Sequence, residues 1–332
     1  MMNTLRKMIL AASIITVIMI SGTVVYYRYF VKRGLIISTT TSLYDTGLLE
    51  VLEKEFEATH QVDIRIISAG TGIAIQHAEK GDADLILVHS PSMEKTFLEK
   101  GVGVCRKIVA YNFFVIVGPA SDPAKINGTN PITALKRIVD YGRNQTTRVW
   151  ISRGDNSGTH SKEKSMWQKA GYNYDTLSKE GWYASAGSGM GATLAMAEQF
   201  SAYTLADTGT YLAYYKAGTI KLKPLISQEK DLLNVYSVIA VVPTLPANKT
   251  VHEEINFRDT IDFIKFLVSE EGQELIENYG KTQYGESLFY GAVQPLKQNS
   301  PTQIVQWIKE YAFFSGTECP PEYRYNQNDL YG

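Results

Sequence analysis

Short apolar runs alternate along most of the chain with stretches whose apolar residues recur every three or four positions. The runs at Leu35–Ile37, Val62–Ile67, Leu85–Val88, Phe113–Val117, Arg148–Ser152, Ala202–Leu205 and Val235–Val242 predict buried strands. Helical spacing, often stopped by glycine, predicts helices over 48–56, 71–79, 93–100, 132–141, 158–170, 190–199, 210–217 and 261–279. Residues 38–47 read as a polar loop. Beyond residue 280 the pattern weakens into a stretch rich in Tyr, Gln, Asn and Pro, with one more helix predicted over 304–313. Alternating strands and helices predict an α/β fold of mostly parallel sheets flanked by helices. Ligands in such folds bind outside the carboxyl ends of the strands, near helix N-termini.

The N-terminal pattern differs. Met8 to Tyr27 is 20 residues without a charge, which as a helix spans about 30 Å, the thickness of a hydrocarbon core. Ser21-Gly22-Thr23 is a weak cleavage candidate, and no Cys follows to take a lipid anchor. The length favours a retained anchor over a cleaved signal peptide. Arg6 and Lys7 before the segment favour an inside N-terminus, which places residues from about 34 onward outside the cytoplasm. Arg28, Lys32 and Arg33 after it outnumber them and leave the reversed orientation open.

The net charge of −1 over 332 residues hides an asymmetry. The first 33 residues carry five basic groups and no acid, so the remainder carries −6. A body of that charge is a poor nucleic-acid partner. Two cysteines, Cys105 and Cys319, exclude a disulfide-rich scaffold and a Cys₄ zinc site.

Four loops that follow predicted strands carry the candidate chemistry. The first is Ser38-Thr39-Thr40-Thr41-Ser42, five hydroxyls in a row, and the second is Ser68-Ala69-Gly70-Thr71-Gly72. The third is Ser152-Arg153-Gly154-Asp155-Asn156-Ser157-Gly158-Thr159-His160, and the fourth is Ala186-Gly187-Ser188-Gly189-Met190-Gly191. Small residues let backbone N–H groups point at one spot, and a helix N-terminus adds about half a positive charge. Several such ends around one cavity bind a dianion without a basic surface. Arg153 supplies a placed cation with a planar donor fork. The plain alternative for Ser157 and Thr159 is helix capping, which Ser and Thr do widely.

Other signals are weaker. Gly187-Ser-Gly189-Met-Gly191-Ala192 fits a loose dinucleotide pattern, but no strand–helix start precedes it, and no phosphate-loop Lys-Ser or Lys-Thr is present. No cofactor is expected. Ser157 and His160 raise a Ser–His hydrolase as a rival class. His60, His77, His89 and His252 lack metal-ligand spacing.

Taken together, Thr39-Thr40-Thr41-Ser42, Gly70-Thr71-Gly72, Val88-His89-Ser90, the run from Tyr111 to Pro119, and above all Ser152 to His160 resemble the TupA-type tungstate-binding proteins of ABC importers. Gly189-Met190-Gly191 and Ala202-Tyr203-Thr204-Leu205 follow in the family's order, and the likeness runs from about residue 35 to 280. The Arg-x-x-x-Ser-Gly-Thr core is also similar to that of phosphate-binding proteins. The resemblance implies a two-lobed, type II periplasmic-binding-protein-like fold with hinge crossovers near Val117 and Ser237. Residues 34–117 with 238–280 would form lobe 1 and 118–237 lobe 2. Residues 1–33 are the anchor or signal segment, and 281–332 form an extension packing on lobe 1. It implies a non-enzymatic, monomeric receptor for tungstate, with molybdate a second candidate, that delivers its ligand to a membrane permease and ATPase. Phosphate and sulfate are the alternatives. The oxyanion would be held by Thr40, Thr41, Ser42, Thr71, Arg153, Ser157, Gly158 and Thr159. Asp155 would be a possible acceptor for a protonated anion, and Cys105 could pair with Cys319 only if the extension brings them together.

Overall fold

The computed structural model describes residues 33–243 and 255–315, together with Ser13, Thr16 and Met19 as isolated helical positions. The apolar segment from Met8 to Tyr27 otherwise lies outside the described residues, as does Cys319. Cys105 is buried in a strand.

In chain order the strands are β1 (Arg33–Thr40), β2 (Val62–Ala69), β3 (Leu85–Val88), β4 (Gly103–Gly118), β5 (Trp150–Ser152), β6 (Tyr183–Ser185), β7 (Thr204–Asp207), β8 (Lys223–Ile226), β9 (Leu233–Val241) and β10 (Tyr290–Gly291). One sheet runs β2-β1-β3-β9-β4-β10. The far end of β4, from Phe114 to Gly118, leaves that sheet and pairs with β7 and β8. β5 and β6 pair with each other, and a bridge from Trp150 to Tyr203 ties them to the start of β7. Strand β4 is thus shared by two sheets, and β9 lies beside it from Val241 down to Leu233, next to the point where β4 changes sheet.

Two expectations need correction. The sheets are not mostly parallel: β1–β2, β1–β3 and β5–β6 are parallel, while every pairing of β4 and β9 is antiparallel. The reason is topological, since the strands that connect the two sheets return against those that enter. Second, Ser38 to Thr40 is the end of a strand and 41–45 a short helix, where a polar loop was expected. The alternating α/β character and the two-sheet, two-hinge-strand architecture stand.

β4 is buried at every position from Cys105 to Gly118, so period-two alternation is absent, as in any strand covered on both faces. The sequence predicts this strand only from Phe113, because Asn112 breaks the apolar run and Arg106 and Lys107 break it again before Ile108. Arg106 is fully buried and pairs with an equally buried Glu94 at 2.8 Å. The helix expected over 261–279 is two helices, 257–268 and 270–278. Ser269 turns extended and caps the second through Oγ. Gly272 lets the turn close, since a Cβ there would sit 2.1 Å from the Phe266 carbonyl oxygen.

The C-terminal stretch knits onto this frame. β10 pairs with Tyr111 and Ala110 of β4. Arg106 donates through Nη1 to the Ala312 carbonyl at 2.8 Å, at the end of helix 302–312. Glu310 of the same helix pairs with Lys230. Tyr311 places its ring 4.7 Å from the ammonium of Lys162, in helix 158–169.

Candidate functional site

The parallel strands β2, β1 and β3 end side by side, with Thr40 opposite Ala69 and Thr39 opposite Leu87. Their carboxyl ends therefore place Thr40–Ser42, Gly70–Thr71 and His89 around one region. Thr39 is spent on the sheet, donating from Oγ1 to the Leu87 carbonyl at 2.8 Å. Thr40 caps the short helix by accepting from the Leu43 N–H, and its Oγ1 lies 3.4 Å from the Ser42 hydroxyl. Ser42 Oγ lies 3.4 Å from His89 Nε2. Thr71, the first residue of helix 71–80, is buried.

The other sheet supplies the second half. β5 ends at Ser152, opposite Ser185 of β6. Arg153 follows and is only 3% exposed. Gly154 adopts a left-handed turn (φ +67°), and a Cβ there would strike Ser185 Oγ at 2.1 Å, so the loop packs tightly on the strand end. Asp155 accepts from Arg153 Nε at 2.7 Å and from the Ser157 N–H at 3.1 Å. Ser157 then caps helix 158–169, accepting from the His160 N–H at 3.3 Å. Behind the loop, the buried Glu163 carboxylate accepts from Ser152 Oγ at 2.7 Å, Trp150 Nε1 at 2.8 Å, Trp167 Nε1 at 3.1 Å and the Tyr183 hydroxyl.

The two halves touch. Arg153 Nη2 donates to Thr41 Oγ1 at 3.1 Å, and Gly158 lies so close to the His89 ring that a Cβ would come within 2.3 Å of Cε1. Thr40, Thr41, Ser42, Arg153, Ser157 and Gly158 are thus brought into one neighbourhood by direct contacts or adjacency. Thr71 and Thr159 open the helices that flank it, and both are buried with Oγ1 lacking any hydrogen-bond partner among the described residues. Buried hydroxyls are ordinarily satisfied, so each of these two at a helix N-terminus keeps the capacity to donate to an acceptor.

The electrostatics narrow what that acceptor is. Burial alone would raise the Asp155 carboxyl, but hydrogen bonds from Ser157 and the Arg153 charge outweigh it and hold it below the usual range. Asp155 is therefore an anion already occupied by Arg153 and Ser157, which removes it as the acceptor for a protonated ligand. Asp207, at the end of β7, is a different case. Its Oδ1 caps helix 208–216 through Thr210, whereas Oδ2 is buried without a partner, and burial raises its pKa.

His160 does not form a couple with Ser157. Its Nδ1 accepts from the Asn156 N–H at 2.9 Å, and its Nε2 meets the Tyr174 hydroxyl at 2.6 Å. With both ring nitrogens engaged and Ser157 Oγ serving as a cap, the nucleophile–base pair of a hydrolase is not assembled. The fourth loop leads into helix 190–200, but Gly187, Ser188 and Gly189 are exposed. No cluster of three His, Cys, Asp or Glu suited to a metal occurs among the described residues.

Sequence reasoning missed Asp207 and Lys162 as parts of this region, and read His89 only within the Val88-His89-Ser90 motif, with no role. Only the fold places His89 against Gly158, 69 positions away, and no local spacing signals it. Lys162 donates to the Leu233 carbonyl at 3.0 Å beside a cavity of about 280 Å³ that His89, Gly158 and Tyr311 also line. Burial pushes its amine down to about 7.

A family model described as a PBP superfamily domain matches residues 28–271. A tungstate-binding protein TupA of Peptoclostridium acidaminophilum is 40% identical over 262 residues, 78% of this chain and 85% of that protein. A putative ABC transporter anion-binding protein of Haloferax volcanii is 42% identical over 78% of this chain and 72% of its own length. Among solved structures, the TupA tungstate-binding protein from Desulfovibrio alaskensis G20 superposes with a TM-score of 0.67 at 35% identity, covering 78% of this chain and 99% of that one. The structure titled as the tungstate ABC transporter from Geobacter sulfurreducens gives 0.64 at 39% identity, over 74% and 98%. With a matching model over most of its length and relatives well above 30% identity, the chain belongs to the PBP superfamily and, within it, to the TupA type.

Proposed function

We propose that this chain is a non-enzymatic receptor that closes on tungstate between two lobes and hands it to an ABC permease with its ATPase. The relatives named as tungstate-binding or ABC anion-binding proteins support the class of ligand and partner. The observation that carries the reading is the buried Arg153 guanidinium of one half hydrogen-bonded to Thr41 of the other. Thr40, Thr41, Ser42, Thr71, Ser157, Gly158 and Thr159 complete the donor set, through hydroxyls and helix-terminal N–H groups. In this reading one lobe is 34–117 with 238–280 and the other 118–237, and the passage of β4 from one sheet to the other supports that division. The lobes work outside the cytoplasm as a monomer, held by the apolar segment from Met8 to Tyr27.

Phosphate is the second reading, and the unpartnered Asp207 Oδ2 favours it, because a protonated anion needs one acceptor among its donors. Calorimetric titration with tungstate, molybdate, phosphate and sulfate separates the two. Tungstate heat without phosphate heat supports the first reading, the converse moves the ligand to phosphate, and silence with all four overturns the site. Arg153→Ala then weakens binding roughly 30-fold or more, because truncating a buried charge partner costs about 2–5 kcal/mol. Arg153→Lys recovers part, keeping the charge without the fork.

A further inference from the structure

We propose that His89 is a positioning residue that couples lobe closure to donor geometry at the oxyanion site; this rests on the receptor reading above. His89 follows β3 and is 4% exposed. One imidazole there meets four parts of the molecule. Its Nε2 faces Ser42 Oγ at 3.4 Å, and Ser42 in turn faces Thr40. Its Cε1 fills the space a Cβ would need on Gly158, at the N-terminus of the other lobe's site helix. Its ring packs on Tyr236 of β9, with centroids 5.0 Å apart, and on Phe114 of β4 at 6.4 Å. β4 is the strand the two sheets share, and β9 lies beside it where it changes sheet.

Burial pushes the imidazole down to about 4, with Arg153 and Lys162 adding to the push and a hydrogen bond to the Asn234 side chain opposing it. The ring is neutral at pH 7 and offers one donor and one acceptor. Either tautomer fixes the Ser42 rotor: Nε2–H donating turns the serine proton toward the ligand, and Nε2 accepting turns a lone pair there. The direction of the hydroxyl is then set in advance of binding. Because Gly158 must come flush against the same ring, the lobes reach their closed separation only where the ring stops them. Donor direction and lobe separation are set by one side chain.

The test uses the full chain and sodium tungstate, with His89→Phe, His89→Gln and Gly158→Ala. Calorimetry gives Kd, stopped-flow tryptophan fluorescence gives koff, and small-angle scattering gives the ligand-induced change in radius. His89→Phe keeps the ring and loses the hydrogen bond; affinity falls roughly 10- to 100-fold, mostly through faster release. His89→Gln restores a donor to Ser42 and recovers part of that loss. Gly158→Ala keeps the imidazole but holds the lobes apart, so compaction on binding shrinks and release quickens. His89→Phe within two-fold of wild type, or His89→Gln no better than Phe, overturns the hydrogen-bond role. Gly158→Ala with wild-type compaction and koff overturns the coupling. Should His89→Phe not fold, the Gln and Ala variants decide by the same criteria. Wild-type silence toward tungstate overturns the receptor reading for tungstate, and this assignment with it.

Discussion

Glu163 carries a quantitative prediction, because the chemistry of its four neighbours differs atom by atom. Oε1 accepts from Trp150, Trp167 and Tyr183, while Oε2 accepts from Ser152 alone. Glu163→Gln can set its carbonyl where Oε1 stood and keep three donors satisfied. Its amide then faces Ser152, whose hydroxyl can rotate to accept. The substitution also removes a charge that burial disfavours, so it costs less than about 1.5 kcal/mol. Glu163→Leu leaves four donors facing hydrocarbon. At roughly 1–3 kcal/mol per buried unsatisfied group, two indoles alone cost about 2–6 kcal/mol. At about 2 °C per kcal/mol for a chain this large, that is a fall in Tm of roughly 4–12 °C.

The pH dependence gives a second signature of the same residue. Burial raises the Glu163 pKa, with the four donors opposing it. A carboxyl whose folded pKa is raised above its unfolded value leaves the folded state holding the proton longer. Its contribution is greatest below the unfolded pKa and falls as pH rises through the window up to the folded value. The gap between wild type and Glu163→Gln therefore shifts toward the glutamine variant as pH rises out of that window. Differential scanning calorimetry of the three proteins from pH 4 to 8 measures both effects. A leucine variant within 2 °C of wild type, or a glutamine variant as damaged as leucine, refutes the hydrogen-bond account.

Two further predictions concern the orphaned threonine and the buried lysine. Thr159→Val removes a hydroxyl that has no partner among the described residues, so the ligand-free Tm is unchanged or higher, while tungstate affinity by calorimetry falls roughly five- to thirty-fold. Equal affinity would take Thr159 out of the site. For Lys162 the folded pKa lies near 7, well below that of a free lysine. The unfolded chain then holds more protons above pH 7, and stability rises with pH at up to about 1.4 kcal/mol per unit. Urea melts between pH 7 and 9 should show that rise, and Lys162→Met should remove it.

How much of this was legible in the sequence depended on the range of the forces involved. Local signals served well: Gly158 and Thr71 do open helices, Gly101, Gly171 and Gly218 do follow helix ends, and the hydroxyl-rich segments do sit at strand termini. The family resemblance, read from the Ser152–His160 run, also held. What failed was long-range. Arg106 breaks the apolar run of β4, yet it is buried there because Glu94 and the Ala312 carbonyl meet it. The three-residue strands β5 and β6 carry too few positions for periodicity, and β6 went unread. The row of hydroxyls does not say why Thr39 stays outside the donor set; strand register does, by turning its hydroxyl onto Leu87. Capping and ligand donation were not separable for Ser157 from sequence, and the structure shows that its Oγ does cap the helix.

The order of strands in the first sheet has a consequence for how the chain acquires its structure. β9 is inserted between β3 and β4 yet is made roughly 145 residues after β3. During synthesis both neighbours present unpaired backbone along one edge, and β10, which closes the far side of β4, arrives later still. Closing loops of that length is slow, and exposed edges invite pairing with other chains in the interval. Refolding yield should therefore depend steeply on protein concentration.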